Sequence, residues 1–315
     1  MSELEDIHAR RRLGRKITGM AAMLLPFEAD GSIAVDAYQA SVREMLDVGL
    51  TPAINMDTGY ANLLAPHERL RVLGLAQAAA GGKPWVGGAF IEGDDGDSVE
   101  LYRREMDAIA NHGGTPILFQ TSRMHGLTST EKVAVYANAA KGFEHVYVFE
   151  LGRMFASNGE IWPIEVFEAI LQIPEIKGAK HSSLDRGLEL QRLALRDQIR
   201  PEFMVLTGND LGIDMIEYGS DYLLGLAAFC PEKFAERDRL WESGDAAYIP
   251  LSDALQYLGN VAFRPSVPAY KHSAAVFRHM LGKIPTPQTR PKSPTRPEWE
   301  HEILRDCARR LSLLD

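Results

Sequence analysis

Eight short runs rich in β-branched, aromatic and small residues recur along the chain, at 17–23, 51–56, 84–90, 115–120, 145–150, 176–180, 204–208 and 222–226. Their starts lie roughly 20 to 35 residues apart, with helical patterns between them, which is the length of a strand, a helix and two short loops. That repeat is the βαβ unit of a parallel sheet, and eight of them predict a closed (β/α)8 barrel of the α/β class. A barrel of this kind fills about 250 residues as one unit, so a chain of 315 residues has length left for an appendage.

The helices carry their own punctuation. Val35, Tyr38, Val42, Met45 and Leu46 form one apolar stripe, and Gly49 follows as a stop signal. Pro66 opens the next helix and Gly81-Gly82 closes it, Thr130 is the expected cap of the helix through Val133 and Tyr136, and Pro163 starts the helix before strand six. Strand signals stop after Pro231. Residues 232–282 read as two or three helices, 284–297 hold five prolines among polar residues and read as an extended strap, and a last helix is expected over about 298–314. The expected division is therefore residues 1–230, a barrel with an entry helix carrying Arg10, Arg11 and Arg12, and residues 231–315, C-terminal helices with the strap.

Charge and cysteine content narrow the partners. With 34 basic against 43 acidic side chains, a net charge of -9 and no basic stripe, the chain lacks the clustered cations that neutralise nucleic-acid phosphates. Two cysteines are too few for a disulfide framework, which fits a reducing, cytoplasmic setting. The apolar run 17–27 is too short to span a bilayer and contains Pro26, so it reads as a buried strand and no membrane partner is expected. The nine histidines form no His-x-His or His-Glu-x-x-His pattern, and glycine-rich nucleotide fingerprints are missing, so no metal or cofactor is expected.

In a parallel barrel the active site lies at the C-terminal ends of the strands. That selects Asp57 and Thr58, the loop from Thr121 to His125, Glu150 and Arg153, Lys180, and Gly208-Asn209-Asp210. Lys180 ends a strand where barrel walls enclose its amine, and desolvation there lowers an amine's pKa toward the nucleophilic form. Pairing with a carboxylate at the barrel mouth is the other reading of the same position. Lys177, on the opposite pleat face, reads as a surface lysine.

Several ordered pieces then matter together: Leu25-Pro26-Phe27 with Gly31 and Ile33; Thr58-Gly59 with Leu63-Leu64 and His67-Glu68-Arg69; Ile176-Lys177-Gly178-Ala179-Lys180 with Ser182, Ser183 and Asp185; Thr207-Gly208-Asn209-Asp210; and Pro268 to Lys271 with Gly282. Over about residues 17–282 the chain resembles the dihydrodipicolinate synthase and N-acetylneuraminate lyase family, in which a barrel lysine forms a Schiff base with a 2-oxo acid, usually pyruvate. The resemblance implies Lys180 as that lysine, no cofactor beyond the lysine–substrate imine, and a homo-oligomer, dimer or tetramer. It also implies an arginine at the substrate mouth, for which Arg153 is the match, and carboxylate binding at the retained Thr58 and Gly59. Arg123 and His125, in a loop that replaces the family's residues after strand four, are read as contacts to an acidic or hydroxylated substrate, and Tyr60 and Asn209 are further substrate-binding candidates.

Two departures set this chain apart from the pattern. Where the family has glycine, two hydroxyl residues, glycine and glutamate, the sequence reads Met56-Asp57-Thr58-Gly59-Tyr60. An ionised Asp57 would repel a 2-oxo acid carboxylate, which favours neutral hydroxy-ketones over pyruvate. The family's proton-relaying tyrosine on strand five is Phe149 here, so Glu150 and Asp57 are the expected proton carriers beside Lys180, ahead of Tyr60. The expected function is a Schiff-base lyase or aldolase acting on a small carbonyl compound by carbon–carbon bond cleavage, condensation or dehydration. A true pyruvate-using 4-hydroxy-tetrahydrodipicolinate synthase and a non-catalytic ligand-binding barrel are the alternatives.

Overall fold

The computed structural model describes residues 8–315. Eight parallel strands close on themselves in sequence order, β1 (Gly19–Ala22), β2 (Thr51–Ile54), β3 (Val86–Ala89), β4 (Thr115–Phe119), β5 (Val146–Phe149), β6 (Ile176–His181), β7 (Met204–Thr207) and β8 (Asp221–Leu224), with β8 pairing back onto β1. Each lies within or at the edge of one of the eight sequence runs. Helices α1 (Val35–Asp47), α2 (Pro66–Ala80), α3 (Ser98–Asn111), α4 (Ser129–Ala140), α5 (Ile164–Ile170) and α6 (Arg186–Ile199) follow β1 to β6. Between β7 and β8 a six-residue 3-10 turn, Ile213–Tyr218, replaces the expected helix.

The caps follow local chemistry. Thr128, not Thr130, begins α4: its hydroxyl accepts from the Glu131 amide while the Glu131 carboxylate accepts from the Thr128 amide, closing a capping box. Helix α1 ends as expected at Gly49, whose φ of 89° lets the Gly49 amide turn back to the Leu46 carbonyl.

Strand periodicity divides the apolar residues into two cores. Met20, Ala53, Val86, Ile117, Phe119, Phe149, Leu206 and Leu223 point inward and fill the barrel, while a larger set packs the outer faces of the strands against the helices. Because successive side chains alternate, neighbours such as Phe149 and Glu150 fall on opposite sides of the wall. This alternation decides the candidate residues below.

Helix α7 (Pro231–Ser243), which sequence reading assigned to the appendage, packs on β1 and α1 and so also occupies the place of an eighth barrel helix. Helices α8 (Tyr248–Ala262), α9 (Tyr270–Met280) and α10 (Glu300–Arg310) pack on one another. Leu304, Cys307 and Ala308 are buried there, so α10 covers its apolar face within the chain. The strap is pinned at both ends. Thr286 donates to the Phe27 carbonyl and Arg290 pairs with Glu68, while Arg296 reaches the carbonyls of Ala262, Arg264 and Pro265.

The expected entry helix lies mostly outside the described residues. Arg10 to Arg12 are exposed in turn and irregular backbone, where Arg11 pairs with Glu217 and Arg12 with Asp197. Among the described residues no helix is long and apolar enough to cross a membrane. Cys230 and Cys307 are buried free thiols.

Candidate active site

Lys180 sits on β6 in register with Phe149 of β5 and Leu206 of β7, both of the inward set, so its side chain enters the barrel near the C-terminal mouth. Its Nζ lies 4.1 Å from the Phe149 ring centroid. Only 8% of the residue is exposed, a small opening rather than a sealed pocket. Burial lowers the amine to a pKa of about 8, with Asp210 and Asp57 pulling weakly the other way. Neither forms an ion pair with it among the described residues: Asp57 is engaged by Lys271 and Asp210 by the Leu226 amide at 2.8 Å. Gly208 makes room for the lysine, since a Cβ there would collide with Lys180 Cε. By contrast Lys177 donates to the Pro174 carbonyl outside the barrel, as expected.

Asp210 is the carboxylate that sequence reading singled out without assigning a role. It is buried, and desolvation pushes it up to about 7 against the pull of the Leu226 amide and Lys180. Burial thus shifts both groups toward their neutral forms, the amine downward and the acid upward, while each pulls the other toward charge.

Asp57, Thr58 and Gly59 form one 3-10 turn after β2. The Asp57 carboxylate accepts from Lys271 Nζ, 3.1 Å from each oxygen, and from the Tyr270 hydroxyl at 2.9 Å. Thr58 Oγ1 lies 2.8 Å from the same hydroxyl. The like-charge argument drawn from Asp57 alone thus meets a compensating cation that sequence reading missed. Lys271 comes from α9, and the pair is neutral as a unit. Tyr60 is corrected: it ends the turn in a left-handed conformation, φ 61°, and packs its fully buried ring 5.6 Å from Phe27, away from the cavity. Burial and then Asp57 push its phenol well above the ordinary range.

Glu150, Arg123 and Arg153 are also corrected. Glu150 is not a proton carrier at the mouth. It faces the helices, fully buried, with Arg192 of α6 donating to both oxygens at 2.6 and 2.9 Å, the Trp162 amide at 2.8 Å and His181 Nδ1 in contact. Burial opposes its ionisation, but Arg192 and His181 outweigh that and hold the carboxyl below its ordinary pKa. Arg123 and Arg153 turn to the backbone carbonyls of Gly96 and Gly159 and do not line the cavity. Asn209 spends its side-chain oxygen on the Leu211 amide, an Asx turn that shapes the loop carrying Asp210.

A cavity of about 410 Å³ opens over the mouth, lined by Asp57, Glu92, Phe90, Phe119, Lys271 and the strap residue Lys292, among others. Lys180 lies one aromatic layer below its floor, beside Phe149, whose ring packs 4.8 Å from that of Phe119. Glu92 accepts from Thr121 Oγ1 and the Ser122 amide, at 2.6 and 2.8 Å. Burial works against its ionisation, and those hydrogen bonds more than offset it, so the carboxyl titrates below its ordinary value. The site is thus a buried reactive amine under a cavity that offers acceptors, one neutralised acid and a cation at the rim. Sequence reading missed Tyr270, Lys271, Glu92 and Lys292. The run Pro268 to Lys271 was quoted only for its resemblance, and nothing local in it shows that it faces β2.

No family model matches the chain. The 4-hydroxy-tetrahydrodipicolinate synthase of Stenotrophomonas maltophilia (strain K279a) is 29% identical over 248 residues, covering 74% of this chain and 80% of that protein. An uncharacterised DapA-like lyase of Pyrobaculum arsenaticum is 26% identical over 200 residues, 62% of this chain and 63% of that protein, so the match spans less than two thirds of its length. Among solved structures, YagE, a prophage protein of the dihydrodipicolinic acid synthase family from E. coli K12 in complex with pyruvate, superposes with a TM-score of 0.82 at 14% identity, over 95% of this chain and 99% of that one. At that identity the structural likeness speaks for the fold.

Proposed function

Because the chain is a divergent member of the dihydrodipicolinate synthase family, we propose that it is a lyase whose Lys180 amine forms an imine with a small carbonyl substrate. The imine then labilises an adjacent carbon–carbon bond, or a leaving hydroxyl, by accepting its electron pair. One observation carries this reading: Lys180 points into the barrel near its mouth, without a counter-ion among the described residues and with its pKa lowered to about 8. About one amine in ten is then neutral at pH 7, against a few in ten thousand for a solvated lysine. The imine is itself the electron sink, so the proposed reaction uses no cofactor and no metal.

Substrate choice follows the acceptors. Asp57, Glu92 and Asn158 line the cavity and favour a hydroxylated carbonyl compound that donates to them. The neutral Asp57–Lys271 pair also admits a 2-oxo acid, which supports pyruvate, the ligand of the YagE structure, as a second substrate class. We further propose a cytoplasmic protein, in keeping with two buried free thiols, and a homo-oligomer. The assembly rests on the family likeness.

Reductive trapping tests the central claim. Incubation with pyruvate or dihydroxyacetone and borohydride should add the reduced substrate to the peptide containing Lys180, and Lys180→Ala should take up none. Label on another lysine, or equal labelling of Lys180→Ala, would overturn it.

A further inference from the structure

The strap forms part of the cavity wall. Lys292, Ser293 and Pro294 line the cavity, and no helix or strand lies between Met280 and Glu300, so the strap is held by discrete contacts at its two ends. At the first end Thr286 donates to the Phe27 carbonyl at 2.7 Å and Arg290 pairs with Glu68 at 2.8 Å. Beyond that pair Lys292 is left-handed, φ 72°, a conformation that costs a residue with a side chain free energy and persists only where flanking contacts enforce it. The contact at the second end is a histidine.

His272, half-buried on α9, accepts the backbone amide of Arg296 at Nδ1, 2.9 Å away. A nitrogen that accepts carries no proton, so the ring is neutral with its hydrogen on Nε2. The Arg296 guanidinium runs on to the carbonyls of Pro265, Ala262 and Arg264, at 3.1, 3.0 and 2.7 Å, which sets the amide against the imidazole. Among the described residues, the charged or titratable groups that act on His272 are His301 and Glu300 of α10 and Arg296 of the strap, with the two imidazole centroids 6.0 Å apart. Lys271, its neighbour on α9, is turned to Asp57. Glu300 is the one carboxylate of the group, and it is shared between Arg264 and Arg296. Protonation at Nδ1 therefore sets a donor against a donor and adds a cation where the only counter-charge is already taken. Burial, and then His301, holds the His272 ring below the ordinary histidine pKa, with Glu300 opposing.

We propose that neutral His272 latches the strap along the cavity and that protonation of its ring releases residues 291–296, opening the cavity in mild acid. The sign follows from linkage. In the released strap the ring regains its ordinary value of about 6.5, while the latched ring sits below it. The released state thus binds the extra proton, so the latch is at full strength above about pH 6.5 and weakens as the pH falls below that value. Thr286, which pins the first end of the strap, does not titrate, so release is confined to the segment that carries Lys292, Ser293 and Pro294. The latch does not depend on the chemistry of Lys180.

Hydrogen–deuterium exchange on the intact protein reads the latch through the two bonded amides of 291–296, Ser293, which donates to the Arg290 carbonyl at 3.0 Å, and Arg296. Corrected for the intrinsic exchange rate at each pH, their protection should fall about tenfold or more between about pH 7.5 and about pH 5, the loss of one hydrogen bond, while the amides of β6 keep theirs. His272→Asn offers a side-chain oxygen in place of Nδ1 that does not titrate, and its strap should stay protected within about twofold across the same range. His301→Gln removes a cation that acts on His272 and should move the midpoint of the transition to higher pH. Equal protection at both pH values in the parent, or a fall of the same size in His272→Asn, overturns the latch. A loss shared by the β6 amides is global unfolding and overturns it too. Should His272→Asn leave the strap unprotected at about pH 7.5, its oxygen does not reach the amide and His301→Gln decides, an unmoved midpoint overturning the proposal.

Discussion

A lysine becomes a nucleophile when its surroundings make the charge costly, and Lys180 meets that condition by burial rather than by a neighbouring cation. Unfolded, the amine holds its proton to about pH 10.5; folded, to about 8. The rate of imine trapping should therefore rise about tenfold between pH 7 and pH 9 and level off above that, following the neutral fraction. A time course at several pH values checks this, and a rate still climbing as steeply at pH 10 would mean an unperturbed amine. Stability responds in the same window. Between pH 8 and 10.5 the unfolded chain binds the extra proton, so stability rises with pH, and below pH 8 the buried cation is a constant cost of about 3 kcal/mol. Lys180 was legible in the sequence because strand ends and pleat parity are local properties. The same parity puts Glu150 on the outer face once Phe149 faces inward; what no strand pattern shows is its partner, Arg192.

At the scale of elements, the Glu150, His181 and Arg192 cluster ties β5 and β6 to α6 from the outside. Arg192 is fully buried and makes bidentate contact with a fully buried carboxylate. Removing one partner strands the other, so Arg192→Met should lower unfolding stability by about 3 to 5 kcal/mol in urea titration. While folded, that variant should still trap carbonyl probes on Lys180, because the cluster lies on the far side of the barrel wall. A folded Arg192→Met that no longer traps would place Glu150 back in the chemistry. The same parity separates Lys177 from Lys180 and puts Phe149, not Glu150, against the amine.

At the scale of the whole molecule, the site is built by two parts of the chain. The barrel gives Lys180, Asp210, Asp57 and Thr58, and the appendage gives Tyr270, Lys271 and the strap residue Lys292. Light scattering at micromolar concentration should give the mass of a dimer or tetramer of this 34.9 kDa chain; the mass of a single chain would remove the proposed assembly. The sequence by itself determined what repeats or alternates. Eight βα units required a parallel barrel, strand ends located the site, and a lysine ending β6 supplied the amine. Only the tertiary structure decided what meets across long stretches of chain. Tyr270 and Lys271 reach Asp57 from 213 and 214 residues away, through packing of the appendage on the barrel mouth. No local period encodes such a contact, because the free energy that fixes it comes from burying whole surfaces and not from the residues that touch.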